Sequence, residues 1–131
     1  MESIFLRGVK AAANFTGTAF VNTLVKDAED VYNCRVYHVE FEAGARNFWH
    51  KHSAGQILLV TAGTGYYQER GKPARVLHYG DVVEIPPDVE HWHGAAEGNR
   101  FTHIAVNPNT HKGEVAWLAP VTDAEYKEAA Q

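Results

Sequence analysis

Apolar residues in this chain fall in short runs that alternate with polar ones, and helical i, i+3, i+4 spacing is scarce before the last dozen residues. That period of two predicts strands over Thr18–Val25, Cys34–Phe41, Arg46–His52, Gln56–Ala62, Gly65–Glu69, Ala74–Leu77, Asp81–Ile85, His91–Ala95 and Phe101–Val106. Turn-forming residues separate the runs: Glu42-Ala43-Gly44, Ala62-Gly63, Arg70-Gly71-Lys72-Pro73, Tyr79-Gly80-Asp81, Pro86-Pro87-Asp88 and Glu97-Gly98-Asn99. Short strands at about ten-residue spacing point to an all-β sandwich or barrel. Only the end of the chain reads as helix, where Thr122-Asp123-Ala124-Glu125 has capping-box spacing and leads into Tyr126–Ala130. No internal repeat, low-complexity tract or linker divides the chain, so a single domain over 1–131 is expected.

Composition narrows the function classes. Hydrophobic residues at 45% and charged residues at 21% match a folded domain and leave no signature of disorder. Twelve Lys and Arg against sixteen Asp and Glu give a net charge of −4, which supplies no bulk attraction for nucleic acid. The single cysteine, Cys34, excludes an intramolecular disulfide. No apolar run suggests a signal peptide or a membrane span, and a cytoplasmic location is expected. The abnormal count is histidine, with eight in the chain and no thiolate cluster to compete as metal ligand.

Strand geometry organises those histidines. His50 and His52 alternate within Phe48-Trp49-His50-Lys51-His52, so both imidazoles point to one face. Same-face neighbours lie roughly 6.5–7 Å apart along a strand, and imidazoles leaning together can share an ion at about 2.1 Å from each nitrogen. His91-Trp92-His93 repeats the arrangement on a second strand, and His103 alternates with Phe101 and Ala105 on a third. His38, His78 and His111 lack a partner at strand spacing and are assigned to the background. Trp49 and Trp92 alternate with the histidines and should face away from them, into packing.

Two spacings carry a family resemblance. Gly44-x5-His50-x-His52-x3-Gln56-x6-Gly63 resembles the first motif of the cupin family, and Gly80-x5-Pro86-x-Asp88-x2-His91 resembles the second. Cupins are double-stranded β-helices, or jelly-roll barrels, that hold one divalent metal inside. The resemblance places His50, His52 and His91 at three ligand positions and Gln56 at the fourth, where glutamate is commoner. Asp88 stands where glycine is usual, and Ala95 where asparagine is usual. A narrower similarity is to small bacterial cupins with a three-His, one-Gln manganese site, the group that includes the cupin hydroxynitrile lyases. It rests on Phe15-Thr16-Gly17-Thr18, His91-Trp92-His93-Gly94-Ala95-Ala96, His103, Trp117 and Val121-Thr122-Asp123. In those lyases the positions of His93 and His103 are pocket histidines implicated in proton transfer.

The resemblance implies a metal-dependent lyase that cleaves or forms cyanohydrins from an aldehyde and hydrogen cyanide. Three imidazoles and an amide leave the charge of a divalent ion uncancelled, which favours the anionic form of a substrate oxygen. Manganese is expected by resemblance, with iron, zinc or nickel open on ligand type. His93 and His103 are the candidate acid–base groups. Tyr37, Val39, Phe41, Phe48, Leu58 and Phe101 are candidate pocket walls, each with plain barrel core as the favoured alternative, since apolar strand residues are usually packing. A small-molecule substrate and a homodimer or homotetramer are the expected partners, with Thr18–Val25 a candidate for exchange between protomers. Two alternatives stand beside the lyase: an iron- or manganese-dependent oxygenase or redox enzyme, and a non-catalytic cupin that binds a small ligand.

Overall fold

The computed structural model describes residues 3–131 of the chain. Among them twelve strands and one α-helix follow in order, with a 3-10 turn at Thr110–Lys112 before the last strand. They are β1 (Val9–Lys10), β2 (Phe15–Thr16), β3 (Ala19–Val25), β4 (Cys34–Phe41), β5 (Arg46–Asn47), β6 (His50–His52), β7 (Gln56–Glu69), β8 (Arg75–His78), β9 (Val82–Ile85), β10 (His91–Ala95), β11 (Phe101–Pro108), β12 (Val115–Trp117) and α1 (Asp123–Ala129). All pairings are antiparallel, along a path β1-β3-β4-β11-β7-β10-β5-β2, with β8 and β9 on β7, and β6 between β10 and β12. The sheet curls on itself into the all-β jelly roll that the alternation and the motifs predict.

The differences from the expected strands have physical causes. Ala62-Gly63 is not a turn, because β7 runs unbroken through it and serves both halves of the barrel. Its first half pairs with β11 and β9, its second with β10 and β8. A bulge precedes the change of partner: Thr102 pairs with Ala62 but His103 with Val60, leaving Thr61 extra, and β10 takes over from β11 after Gly63. Gly63 lies at a φ of 77°, and a Cβ there would overlap the carbonyl of Arg100, so only glycine fits the bend. Arg46–His52, expected as one strand, is two, β5 and β6, interrupted at Phe48-Trp49. The interruption resets which residues face inward. β1, β2 and β12 have two or three residues each, too few to show a period. β3 pairs with β4 along most of one edge, and on the other edge Phe20 and Val21 pair with the two residues of β1.

Two apolar clusters hold the barrel. One fills the interior around Phe41, Leu58, Val60, Val83, Ile85 and Phe101. The other lies outside the sheet, where Trp49, Tyr66 and Trp92 pack against Val121, Tyr126 and Ala129 beneath α1. The tryptophans thus turn away from the histidines with which they alternate. The helix starts at the expected Thr122 cap, whose side chain and backbone exchange hydrogen bonds with Glu125. Arg46, buried, ties it down: its Nη2 donates to Val121 O at 3.0 Å and to Asp123 Oδ1 at 2.8 Å, and its guanidinium covers the Tyr126 ring. Among the described residues no helix is long and apolar enough to cross a membrane.

Candidate metal centre

The register of β6 and β10 sets His50 directly opposite His91, and their rings lie 4.2 Å apart between centroids. His52, two residues on from His50, brings its ring to 5.1 Å from His50 and 5.7 Å from His91. Gln56 opens β7 beside them. Asp88 precedes β10 with a φ of 60°, the left-handed conformation that glycine usually fills and that aspartate tolerates. Its N–H donates to His52 O at 2.8 Å and ties the two histidine segments together.

Hydrogen bonds fix which ring atoms face inward. His50 Nδ1–H donates to Phe48 O at 2.7 Å and His91 Nδ1–H to Val89 O at 2.8 Å. A carbonyl accepts only from a protonated nitrogen, so Nε2 of each ring carries a lone pair instead. His52 Nε2, His91 Nε2 and Gln56 Oε1 are buried and have no hydrogen-bond partner among the described residues. Gln56 Nε2 donates to Asn107 Oδ1 at 2.9 Å, which fixes the amide with its oxygen on the opposite side. Buried acceptors without donors cost free energy unless something fills them. A set of neutral nitrogens and an amide oxygen fits a divalent cation.

Burial also keeps these rings neutral. Desolvation pushes His52 and His91 down to about 4, and His50 well below the ordinary range, with neighbouring histidines adding to the depression of His50. His93 and His103 are lowered by burial too, His103 to about 3. No ligand nitrogen therefore needs to lose a proton near neutral pH.

His93 and His103 form a separate pair. His103 Nε2 lies 3.0 Å from His93 Nδ1, and Asn47 Nδ2 lies 3.2 and 3.3 Å from the two His93 ring nitrogens. Asn47 Oδ1 also accepts from the His93 backbone N–H at 2.9 Å, so one asparagine grips both ends of that residue. The ring nitrogens of His50, His91 and His93 lie within 4.8 Å of one another, so His93 borders the orphaned atoms. Both of its ring nitrogens already have polar partners, whereas Nε2 of His52 and Nε2 of His91 have none among the described residues.

A cavity of about 190 Å³ opens onto these groups, with Phe15, Val21, Tyr37, Val39, Val115 and Trp117 among its walls. Tyr37 and Val39 stand where the alternation of β4 puts them. Phe41 and Phe101 lie deeper, each 5.5 Å from the His103 ring, as a floor beneath it. Leu58 belongs to the packed interior. Phe48 does not line the cavity, because the break between β5 and β6 gives that place to Asn47. Asn47, Asn107 and Trp117 are the wall residues that strand periodicity alone passes over, Trp117 with its ring 4.7 Å from that of His50. His38 is on the outer face of β4 beneath Ser3 and Phe5, while His78 and His111 are exposed.

Comparison with known proteins agrees with this architecture. The Cupin domain family matches residues 37–107. An (R)-mandelonitrile lyase from Granulicella tundricola is 42% identical over 113 residues, which are 86% of each chain. The crystal structure of a cupin-like protein from Thermotoga maritima superposes with a TM-score of 0.97 at 53% identity, covering 99% of this chain and 98% of that one. A DMSP lyase from Ruegeria pomeroyi shares the fold, with a TM-score of 0.66 at 21% identity over 80% of this chain and 54% of its own.

Proposed function

This chain belongs to the cupin family, and from that premise we propose that it is a single-domain, metal-dependent hydroxynitrile lyase. His50, His52, His91 and Gln56 would hold the ion, with manganese the metal proposed. The observation that carries the reading is the set of orphaned buried acceptors, His52 Nε2, His91 Nε2 and Gln56 Oε1, beside an independent buried histidine pair. Support for the reaction comes from the similarity to a mandelonitrile lyase over most of the chain.

A divalent ion in this neutral donor set would supply positive charge that favours the ionised form of a substrate hydroxyl. The protein's own groups do the rest. His93 and His103 stay uncharged through burial, and so have a lone pair to accept the hydroxyl proton of a 2-hydroxynitrile. As the carbon–carbon bond breaks, the hydroxyl-bearing carbon becomes an aldehyde and cyanide leaves with the bonding electrons. The imidazolium then returns its proton to cyanide, and the reverse sequence builds a cyanohydrin. Asn47 keeps His93 in place through both transfers. Phe15, Val39 and Trp117 give the reacting molecule an apolar wall. Assembly as a homodimer or homotetramer and a cytoplasmic location complete the proposal.

Mandelonitrile is the probe. Manganese-loaded protein is expected to release benzaldehyde from it faster than the same protein carrying His50→Ala. Release no faster than that variant's overturns the lyase reading and leaves a ligand-binding cupin.

A further inference from the structure

Beyond the histidines, a second chamber borders the cavity across shared wall residues, and the proposed chemistry does not use it. The inner chamber is about 190 Å³ and the outer about 220 Å³, and they share Tyr37, His52, Asn107 and Val115 as lining. Small-molecule sites usually occupy roughly 300–1,000 Å³, a range that neither chamber reaches alone and that the two reach together. A molecule that fills the site therefore extends past the reacting groups into the outer chamber.

That chamber has a polar end. Arg35 shares the inward alternation of Tyr37 and Val39 on β4, and sits opposite Asn107 in register, at the barrel mouth. Its Nε donates to Lys26 O at 3.2 Å and its Nη2 to Asp30 Oδ1 at 3.4 Å, which leaves most of its N–H donors unused. The Asp30 carboxylate is 65% exposed, so solvent screens that contact and the guanidinium is not neutralised by it. Thr110, also in the lining, has a buried Oγ1 with no partner among the described residues. Planar guanidinium donors beside an unclaimed hydroxyl are the groups that recognise a carboxylate. The opposing charges are Glu114, exposed at the lip of the same chamber, and Asp27, which also feels the charge of Arg35.

We infer that the outer chamber is a carboxylate subsite, in which Arg35 and Thr110 hold the acid group of a substrate whose hydroxyl or carbonyl end reaches His93 and His103. The substrate class is a cyanohydrin or aldehyde that bears a carboxylate away from the reacting carbon. The identity of the reacting end rests on the lyase reading, whereas the subsite itself does not. Since the chain as a whole is negative at −4, its overall field repels such a molecule, and the attraction must come from Arg35 locally.

Two readouts test the subsite in the metal-loaded protein. The first is the ratio of kcat/KM for the cyanohydrin of 3-formylbenzoate to that for mandelonitrile. The second, independent of turnover, is the rise in thermal midpoint with 3-formylbenzoate compared with benzaldehyde. Arg35→Met is expected to lower the ratio about tenfold, the size of one charge-assisted contact, and to abolish the extra thermal protection. Glu114→Gln is expected to raise both, which keeps the test sharp if the first variant folds poorly. Equal values in wild type and both variants overturn the subsite. Arg35-dependent protection by 3-formylbenzoate with no aldehyde released from either cyanohydrin would keep the subsite and reject the lyase. Turnover of mandelonitrile with no such dependence would do the opposite.

Discussion

Asn107 shows how much of the centre depends on residues that would not touch the ion. Its Oδ1 accepts from Gln56 Nε2, and without that acceptor the amide can turn its NH2 towards His52 and His91. Replacing Asn107 by leucine is expected to weaken metal affinity by about 10–100-fold in equilibrium dialysis, as outer partners of metal ligands usually do. Asn107→Asp, which keeps an acceptor, should retain binding. His103 makes the contrasting case, since it belongs to the pair proposed to carry the proton. His103→Ala should lower cyanohydrin cleavage by about 10²–10⁴-fold while leaving metal content unchanged by elemental analysis. The histidine pairs are legible in the sequence because a strand repeats every two residues, so His50 and His52 must share a face. Asn47 and Asn107 are not legible in that way. An amide's role depends on which ring or amide the fold brings to it, from forty or more positions away.

Among the elements, β10 and the C-terminal helix show why the centre stays in register. Tyr126 of α1 donates its hydroxyl to Ala95 O at 2.6 Å, at the end of the strand that carries His91 and His93. Arg46 on β5 bonds to Val121 and packs on Tyr126 from the neighbouring strand. Arg46→Ala is expected to cost about 2–3 kcal/mol in urea unfolding, through a lost bond to a carbonyl and lost packing. Asp123→Asn should have little effect, because that carboxylate is exposed. The capping sequence made this helix readable in advance, and alternation did the same for β4 and β10, whose bounds match the expected ones. The bulge in β7 was not readable. Gly63 has the composition of a turn, and only the partners on either side show that the strand continues through it.

For the molecule as a whole, burying so many neutral histidines makes stability depend on pH. The folded state holds His52 and His91 at about 4, against an ordinary value of 6.5, so between those values the unfolded chain binds more protons. Stability of the metal-free protein should therefore be full above about 6.5 and fall as pH drops towards 4, as thermal midpoints at a series of pH values would show. A flat profile across that window would contradict the burial of neutral rings. In the proposed metal centre the same orphaned acceptors exist only in the native state, so that state alone would take up the ion. The most direct measurement is the thermal midpoint of metal-free protein titrated with manganese. At a hundredfold excess over the dissociation constant, binding to the native state alone adds about 2.7 kcal/mol, which is expected to raise the midpoint by about 10 °C in a domain of this size. The His52→Ala variant should show a much smaller rise. A midpoint that does not move with manganese, or that moves equally in both proteins, would contradict a metal centre built from His50, His52, Gln56 and His91.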